Sequence, residues 1–509
     1  MKYKNGVLSA TFGIIQQLLT LTFGLIVPRL FIRTFGSEMN GLLSSIANIY
    51  SYLALVEAGV GTAAIQALYG PIGRDDKKSI NQIMTAVASY YNKAGFVYLL
   101  GVIAISILYP LTVPTTVPRT TVFLVAILSG TGGVINFWVH GKYTVLLQAE
   151  GKKYLMSIMV MVIYVVQNFM KIYMLNMGYD VIAIHVGYFV ISLCQMSFFF
   201  FYIKKNYRWL YLKEVPNKEA LSQSSAVFVQ QITGMLCSNT DVLVLTYFAR
   251  DLKAVSVYTV YLMIYSTIEK LFSTFFGSFH YLLGQKYNTD PVGYMRLHRI
   301  YENISMTGSF ALYTIAFLLT TPFIRIYTAG ITDIQYVDKY LPFLFTLMHL
   351  MCSSREACAR IINFAGHFKQ MQWRTILETS INIISSIILV SYLGIYGVLL
   401  GTLISFVYRM NDVILYANKH LLKRSSWNTY KPWLINLAAF GLISFGFSFV
   451  DLTADSFIQF FLTAVPVGIT VCIVYFVVLL LVSRESVSML LNAAGKVFQK
   501  LRAKKGANI

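Results

Sequence analysis

Apolar segments of about twenty residues or more recur along the whole chain, separated by short polar connectors. A segment of this length crosses the hydrocarbon core of a bilayer as an α-helix. The pattern predicts about fourteen spans, and we expect the first apolar run to be retained as a span. The predicted spans are Val7–Thr34, Gly41–Tyr69, Asn81–Tyr109, Thr120–Gln148, Tyr154–Asn176, Val181–Ile203, Ser224–Phe248, Val255–Lys286, Asn303–Tyr327, Tyr340–Ala365, Met371–Ser391, Tyr396–Asn418, Trp433–Val450 and Phe457–Val482.

The composition supports an all-α integral membrane protein, because 57% of the residues are hydrophobic and only 12% are charged. The connectors leave no room for a large soluble domain. We find no nucleophile motif, P-loop or metal-ligand spacing, so we predict no enzyme, no catalytic residues, no metal site and no cofactor. The net charge of +20 is confined to short connectors, which indicates membrane topology and not nucleic-acid binding.

The distribution of lysine and arginine gives the orientation. With the N-terminus in the cytoplasm, 27 of the 41 basic residues fall in cytoplasmic segments, while five lie in connectors on the opposite side. One missed span would invert this pattern downstream. Basic residues accumulate on the cytoplasmic side of membrane proteins, so we predict that both termini are cytoplasmic.

An internal repeat predicts the domain organisation. The segment SATFGIIQQLLTLTF from Ser9 aligns with QSSAVFVQQITGMLC from Gln223, so spans 1–2 correspond to spans 7–8 in the same orientation. Two pseudo-symmetric, parallel six-helix lobes follow, related by an axis along the membrane normal. The predicted organisation is an N-terminal lobe (1–203), a cytoplasmic linker (204–223), a C-terminal lobe (224–420), two C-terminal helices (433–483) and a basic tail (484–509).

Basic residues inside the spans are the main candidates for substrate binding. A charge near the bilayer centre costs about 2.5–3.5 kcal/mol, so most must face protein or a water-filled cavity. A cationic cavity suits an anion, and guanidinium groups match phosphate oxygens bidentately. Internal salt bridges are the equal alternative, because Glu356 precedes Arg360 by four residues and Arg409 precedes Asp412 by three. The candidates are Arg29, Lys270, Arg355, Arg360 and Arg409.

Acidic and polar residues inside the spans are candidates for ion coupling or gating. Asp241, with Asn239 close by, suits a sodium or proton site, or equally a hydrogen-bonded helix contact. Glu57 adjoins glycines that permit close helix packing, which favours a structural or gating role. Glu269 is the neighbour of Lys270 on span 8 and completes this group.

Two further sets of residues have competing interpretations. Tyr258, Tyr261 and Tyr265 are candidates to stack on sugar rings, although a tyrosine stripe at this spacing is more typical of packing. Lys142 and Lys171 lie near predicted helix ends, where we expect them to extend towards the membrane surface.

The segment from Pro28 to Met84 resembles the opening of the polysaccharide transporter (Wzx-like) flippases. These belong to the multidrug/oligosaccharidyl-lipid/polysaccharide (MOP) exporter superfamily, with the multidrug-and-toxin extruders (MATE) and the lipid II flippases. The resemblance rests on a basic residue near the end of span 1, FGSEMNGL, the Glu57-Ala58-Gly59 sequence and the interior loop GRDDKKSINQI. It implies a MATE-like fold. Basic cavity residues of lipid II flippases on spans 1 and 8 correspond loosely to Arg29 and Lys270.

The resemblance also implies a function. Undecaprenyl-diphosphate-linked oligosaccharide repeat units would pass from the inner to the outer leaflet of a bacterial cell membrane for surface polysaccharide synthesis, by alternating access through a cationic central cavity. Coupling to Na⁺ or H⁺ is left open. The implied partners are the lipid-linked glycan, the bilayer, a polysaccharide polymerase and glycosyltransferases, but no nucleic acid, and the functional unit is a monomer. The alternatives are an ion-coupled multidrug antiporter of the same superfamily and a non-transporting scaffold of a glycan-assembly complex.

Overall fold

The computed structural model describes residues 2–57, 60–217, 235, 239–277 and 279–492, and the regular elements in these ranges are helices. Predictions for the end of the linker, the start of span 7 and the tail beyond 492 lie outside these ranges. The helices are α1 (Lys2–Leu53), α2 (Val60–Gly73), α3 (Lys77–Thr112), α4 (Arg119–Ile135), α5 (Lys142–Ala149), α6 (Lys153–Asn176), α7 (Val181–Asn206), α8 (239–244, continuing as the π-helix Leu245–Ala249), α9 (Leu252–Gly277), α10 (His280–Thr289), α11 (Pro291–Tyr327), α12 (Leu341–Ser354), α13 (Glu356–Phe364), α14 (Phe368–Leu393), α15 (Ile395–Tyr416), α16 (Trp427–Phe447) and α17 (Phe457–Val482).

The described part of each predicted span lies on these helices, so the all-α membrane fold is confirmed. Span 14 coincides with α17, and span 5 differs from α6 by one residue. Among the described residues, eight helices are long and apolar enough to cross a membrane by length and composition.

Several predicted spans consist of two helices with an interruption between them. In span 2, the 3-10 turn Ala54–Glu57 separates the end of α1 from α2. In span 4, the π-helix Asn136–Gly141 joins α4 to α5. Span 10 breaks at Arg355, between α12 and α13. Irregular backbone at membrane depth is tolerated where protein or a water-filled cavity surrounds it, so we expect these breaks to face away from the lipid.

The first of two compact units contains residues 1–259 and 330–334. Its core includes the buried aromatic residues Tyr91, Tyr98 and Phe137. A Cβ atom at Gly41 would overlap the carbonyl oxygen of Leu252, so only glycine lets α1 approach the start of α9 this closely. α1 also bends at Gly36, whose φ of 83° separates spans 1 and 2.

The second unit contains residues 260–329 and 335–509. The helices α14 and α15 pack closely because Gly397 and Gly401 meet Leu389 and Ser386, where a Cβ atom would not fit. This close pairing positions the charged side chains of both helices.

Hydrogen bonds between connectors agree with the predicted alternation of faces within each unit. In the first unit, Ser37 donates to Asp333 at 2.8 Å, and both connectors are predicted to be external. In the second unit, Arg296 pairs with Glu485, and both are predicted to be cytoplasmic. Similar same-side contacts join Glu38 to Thr116, Asn81 to Tyr211, Tyr207 to Glu150 and Tyr396 to Asp338.

Candidate functional site

Two carboxylates on α14 and α15 hold three arginines in the second unit. Glu378 accepts from Arg355 at 2.8 Å through Oε1 and lies 3.2 Å from the Nε of Arg409 through Oε2. Asp412 accepts from Arg409 at 3.0 Å and also pairs with Arg374. We call these five residues the arginine cluster, and it connects predicted spans 10, 11 and 12.

Helical spacing builds the arginine cluster. Arg409 and Asp412 are three residues apart on α15, while Arg374 and Glu378 are four apart on α14, so each pair shares a helix face. Arg355 reaches the same place from the break in span 10.

Further contacts hold the three guanidinium groups in place. Arg409 Nη2 donates to Thr375 at 2.9 Å, and the guanidinium carbon of Arg355 lies 5.2 Å from the centre of the Phe406 ring. The same atom of Arg374 lies 5.0 Å from the Tyr416 ring centre. Stacking on aromatic rings suits the planar guanidinium group, which a lysine ammonium cannot replace.

A second group of polar residues lies on α9 and α13. Glu356 and Arg360 form the expected pair at 2.6 Å on α13. Glu269 of α9 is 53% exposed and lies 3.7 Å from His349. Lys270, Ser273 and Thr274 are exposed on one face of α9. We call Glu269, Lys270, Ser273 and Thr274 the α9 polar stripe.

Electrostatic interactions connect the α9 polar stripe to the arginine cluster, because Glu269 interacts with both Arg355 and Glu356. The combined network has five basic and four acidic side chains and therefore one net positive charge. Exposure rises from 11% at Arg409 to 35% at Arg360. Arg360 and Lys270 are thus accessible, whereas Arg355 and Arg409 are engaged in buried ion pairs.

The structure brings four of the five predicted substrate-binding residues, Lys270, Arg355, Arg360 and Arg409, into this network. The predicted local pairs Glu356–Arg360 and Arg409–Asp412 are confirmed. The structure adds Arg374, which lies near the start of α14 and pairs with Asp412. Sequence reasoning also missed the bridging role of Glu378, because its partners Arg355 and Arg409 lie on other helices.

Two predicted ion-coupling residues of the first unit, Asp241 and Glu57, accept hydrogen bonds from tyrosines. Asp241 is buried and accepts a hydrogen bond from the Tyr258 hydroxyl at 2.7 Å. Asn239, two residues earlier on α8, is half-buried. This geometry fits the helix-contact alternative.

Glu57 lies at the interruption of span 2 and accepts a hydrogen bond from the Tyr91 hydroxyl at 2.6 Å. It lines a cavity of about 160 Å³ together with Asn136, Thr144 and Gln195. Carboxylate, amide and hydroxyl oxygens of this kind are suitable ligands for a hard cation or carriers of a proton.

The two remaining basic residues of interest lie elsewhere in the first unit. Arg29 is half-buried on α1 beside Pro28. Lys171 lies near the end of α6 and packs against aromatic rings. Its ammonium lies 4.5 Å from the centre of the Phe31 ring and 5.9 Å from that of Tyr188, and it lines a cavity of about 290 Å³.

The three tyrosines considered for sugar stacking are buried. Tyr261 and Tyr265 donate to the carbonyl oxygens of Tyr336 and Pro342 at 2.9 and 2.8 Å, and Tyr258 donates to Asp241. Their rings therefore pack inside the protein, as the alternative interpretation held.

Comparison with solved structures identifies the fold. A structure described as "Lipid II flippase MurJ, inward closed conformation" has a TM-score of 0.69 and 15% identity, and the match covers 94% of this chain and all of that chain. The chain has a MurJ- and MATE-type transporter fold. An inward-facing multidrug resistance MATE family transporter of the MOP superfamily matches with a TM-score of 0.67 at 15% identity, covering 81% of this chain and 97% of that one. A third structure, MATE in complex with MaD3S, has a TM-score of 0.57 at 15% identity and covers 87% and 96%.

No family model matches the chain, and no curated protein sequence matches it. At 15% identity, the structural matches establish this transporter fold and leave the substrate to be argued from the site.

Proposed function

We propose that this protein is a flippase that moves undecaprenyl-diphosphate-linked oligosaccharide repeat units to the outer leaflet of a bacterial cell membrane by alternating access. The observation that carries the proposal is the net positive network at membrane depth, with Lys270 and Arg360 as its accessible cations. The extent of the match to a lipid II flippase supports it, because that protein also carries a lipid-linked substrate by its name.

The accessible and the buried cations of the network have different roles. Lys270 and Arg360 contact the diphosphate of the substrate, and each charge-assisted contact contributes about 1.5–3 kcal/mol. Arg355 and Arg409 are held by Glu378, so they position spans 10 and 12 and add to the local potential. A net charge of only one leaves affinity moderate, as release on the far side requires.

Removing the accessible cations tests the flippase proposal. Lys270→Gln and Arg360→Gln should each reduce flipping of a fluorescent lipid-diphosphate sugar in proteoliposomes by about tenfold, since one charge-assisted contact of about 1.4 kcal/mol or more is lost. Lys419→Gln, an exposed lysine of the connector between spans 12 and 13, is the matched control. Unchanged flipping in both variants, with normal protein amounts, would count against the proposal, and surface polysaccharide in a dependent host provides the second readout.

Ion coupling is proposed at Glu57, whose cavity offers several oxygen ligands. Glu57→Gln keeps the hydrogen-bonding shape but removes the charge, so flipping should lose its dependence on a Na⁺ or H⁺ gradient. Glu38→Gln, which removes a carboxylate from an external connector, is the control. Gradient dependence that survives in Glu57→Gln would reject this site, and Asp241 would then be the next candidate.

An ion-coupled multidrug antiporter is the second candidate, favoured by the match to a MATE family transporter and by the four acidic side chains of the network. It predicts the reverse sensitivity: Glu269→Gln would abolish drug efflux, and Lys270→Gln would not. A non-transporting scaffold would show no flipping in proteoliposomes. A polymerase and glycosyltransferases remain the proposed partners of a monomeric flippase, and co-purification from a native membrane would test this.

A further inference from the structure

A basic pocket lies at the predicted cytoplasmic ends of α11, α16 and α17 in the second unit, away from the arginine cluster. It has a volume of about 270 Å³. Arg299, Arg424 and Lys431 contribute to its wall, and the lining contains no acidic side chain among the described residues. This charge pattern is selective for an anion.

Two of the three basic side chains are available for a ligand. Arg299 and Lys431 are exposed, and neither makes a hydrogen bond or ion pair with a residue that the structure describes. Arg424 is fixed by Glu302 at 2.5 Å and by Asn418 at 2.7 Å, through its Nη2 and Nε atoms. These bonds leave Nη1 of a rigidly held guanidinium as a donor for the pocket.

A buried amide provides an independent indication of a ligand. Asn303 is only 6% exposed, lines the pocket, and makes no side-chain hydrogen bond to any residue in the described part of the chain. Its amide is accessible from the pocket, so a water or a ligand there can satisfy its hydrogen-bonding groups. Asn303 is therefore a suitable donor to an oxygen atom bound inside the pocket.

The lining of the pocket combines charged and apolar side chains. Ile435 and Leu481 contribute apolar side chains from the predicted spans 13 and 14, whereas Trp427 precedes span 13 and is exposed. Tryptophan prefers the level of the lipid headgroups, so the charged end lies where phosphate groups of the bilayer lie. A ligand with an anionic head and an apolar continuation fits this arrangement, and basic pockets between spans commonly hold anionic lipid headgroups.

We propose that this pocket binds the phosphate of an anionic phospholipid from the predicted cytoplasmic leaflet. The volume suits a headgroup and not a whole lipid, because sites for drug-sized ligands occupy about 300–1,000 Å³. Arg299, Lys431 and Nη1 of Arg424 contact the phosphate oxygens, and the acyl chains leave past Ile435 into the bilayer. The pocket belongs to the second unit alone, so the proposal does not depend on the transported substrate.

Ligand-dependent thermal unfolding of the full-length protein in detergent tests the proposal. Dioctanoyl phosphatidylglycerol should raise the Tm, while dioctanoyl phosphatidylcholine and inorganic phosphate at the same concentration should not. In the double variant Arg299→Gln/Lys431→Gln, the phosphatidylglycerol concentration for half the shift should rise at least tenfold. Lys419→Gln removes one charge from the neighbouring connector without touching the pocket, and its response should equal that of the wild type.

Three outcomes would overturn the proposal. They are an equal response of the double variant and the wild type, an equal effect of the zwitterionic lipid, and an equal effect of inorganic phosphate, which would indicate a free-anion site. If the double variant does not fold, a photoreactive phosphatidylglycerol is used with the wild type. Cross-links to the peptides containing Trp427 or Leu481 support the pocket, and cross-links confined to other peptides reject it.

Discussion

Glu378 is the residue on which the arginine cluster depends. Its two carboxylate oxygens serve two arginines from different helices, and its side chain is only 5% exposed. A buried carboxylate of this kind is tolerated because both oxygens are paired, and its loss would remove one anionic partner from each of two buried cations, Arg355 and Arg409. Glu378 is therefore expected to contribute more to stability than the more exposed Glu356, which pairs with Arg360 within one helix.

Glu378→Gln should lower the free energy of unfolding by about 3–5 kcal/mol, the usual consequence of removing one partner from a buried ion pair. Glu356→Gln should change it by no more than about 1 kcal/mol, since partly exposed pairs contribute little. Thermal unfolding of the purified variants measures both effects. An equal decrease in the free energy of unfolding in the two variants would show that burial does not determine how much these ion pairs contribute to stability.

At this scale, the sequence predicted pairs within one helix and missed those between helices. The pairs Glu356–Arg360 and Arg409–Asp412 follow from spacing alone. The bridge from Glu378 to Arg355 depends on how α14 packs against the break after α12, and no spacing rule gives the distance between two helices.

The helices are organised by their interruptions. Span 2 is interrupted at Ala54–Glu57, span 4 at Asn136–Gly141 and span 10 at Arg355. Spans 4 and 10 occupy corresponding places in the order of the predicted repeat. Long apolar runs predicted the spans well, but hydropathy does not respond to a local break of one turn, so the interruptions were not anticipated.

Substitution of Gly36 tests how much the bend after span 1 contributes to the stability of the protein. With φ of 83° and ψ of 170°, this position suits glycine almost alone, so Gly36→Ala should destabilise the protein by about 1–3 kcal/mol. Gly24→Ala is the matched control, because a Cβ atom there meets nothing within 4 Å on the same helix. It should leave stability unchanged or raise it by up to about 1 kcal/mol. Similar Tm values for the two variants would contradict the importance of the bend.

On the scale of the whole molecule, the alternation of the predicted spans indicates which connectors share a face. The hydrogen bonds between connectors in each unit join segments predicted on the same side, such as Ser37 with Asp333. A connector's charge reflects the compartment in which it ends, so this pattern was accessible from sequence. The basic pocket was not, because its residues come from segments about 130 and 180 positions apart, and only packing brings them together.

Labelling of single cysteines in a cysteine-free background tests the orientation. A membrane-impermeant maleimide should label Arg119→Cys in intact cells, because this position is predicted to be external. Lys419→Cys should react only after the membrane is made permeable. The opposite pattern would invert the topology, and labelling of both in intact cells would break the predicted alternation.

The alternating charges from Arg355 to Arg374 have a mechanical consequence. If α14 and α15 slid past each other by one helical turn, Glu378, Arg409, Asp412 and Arg374 would all have to exchange partners in a single step. These ion pairs therefore favour only the present register of α14 and α15. Spans 10, 11 and 12 would then travel as one rigid body through any working cycle, and the bending would have to occur in the spans that carry breaks outside this block.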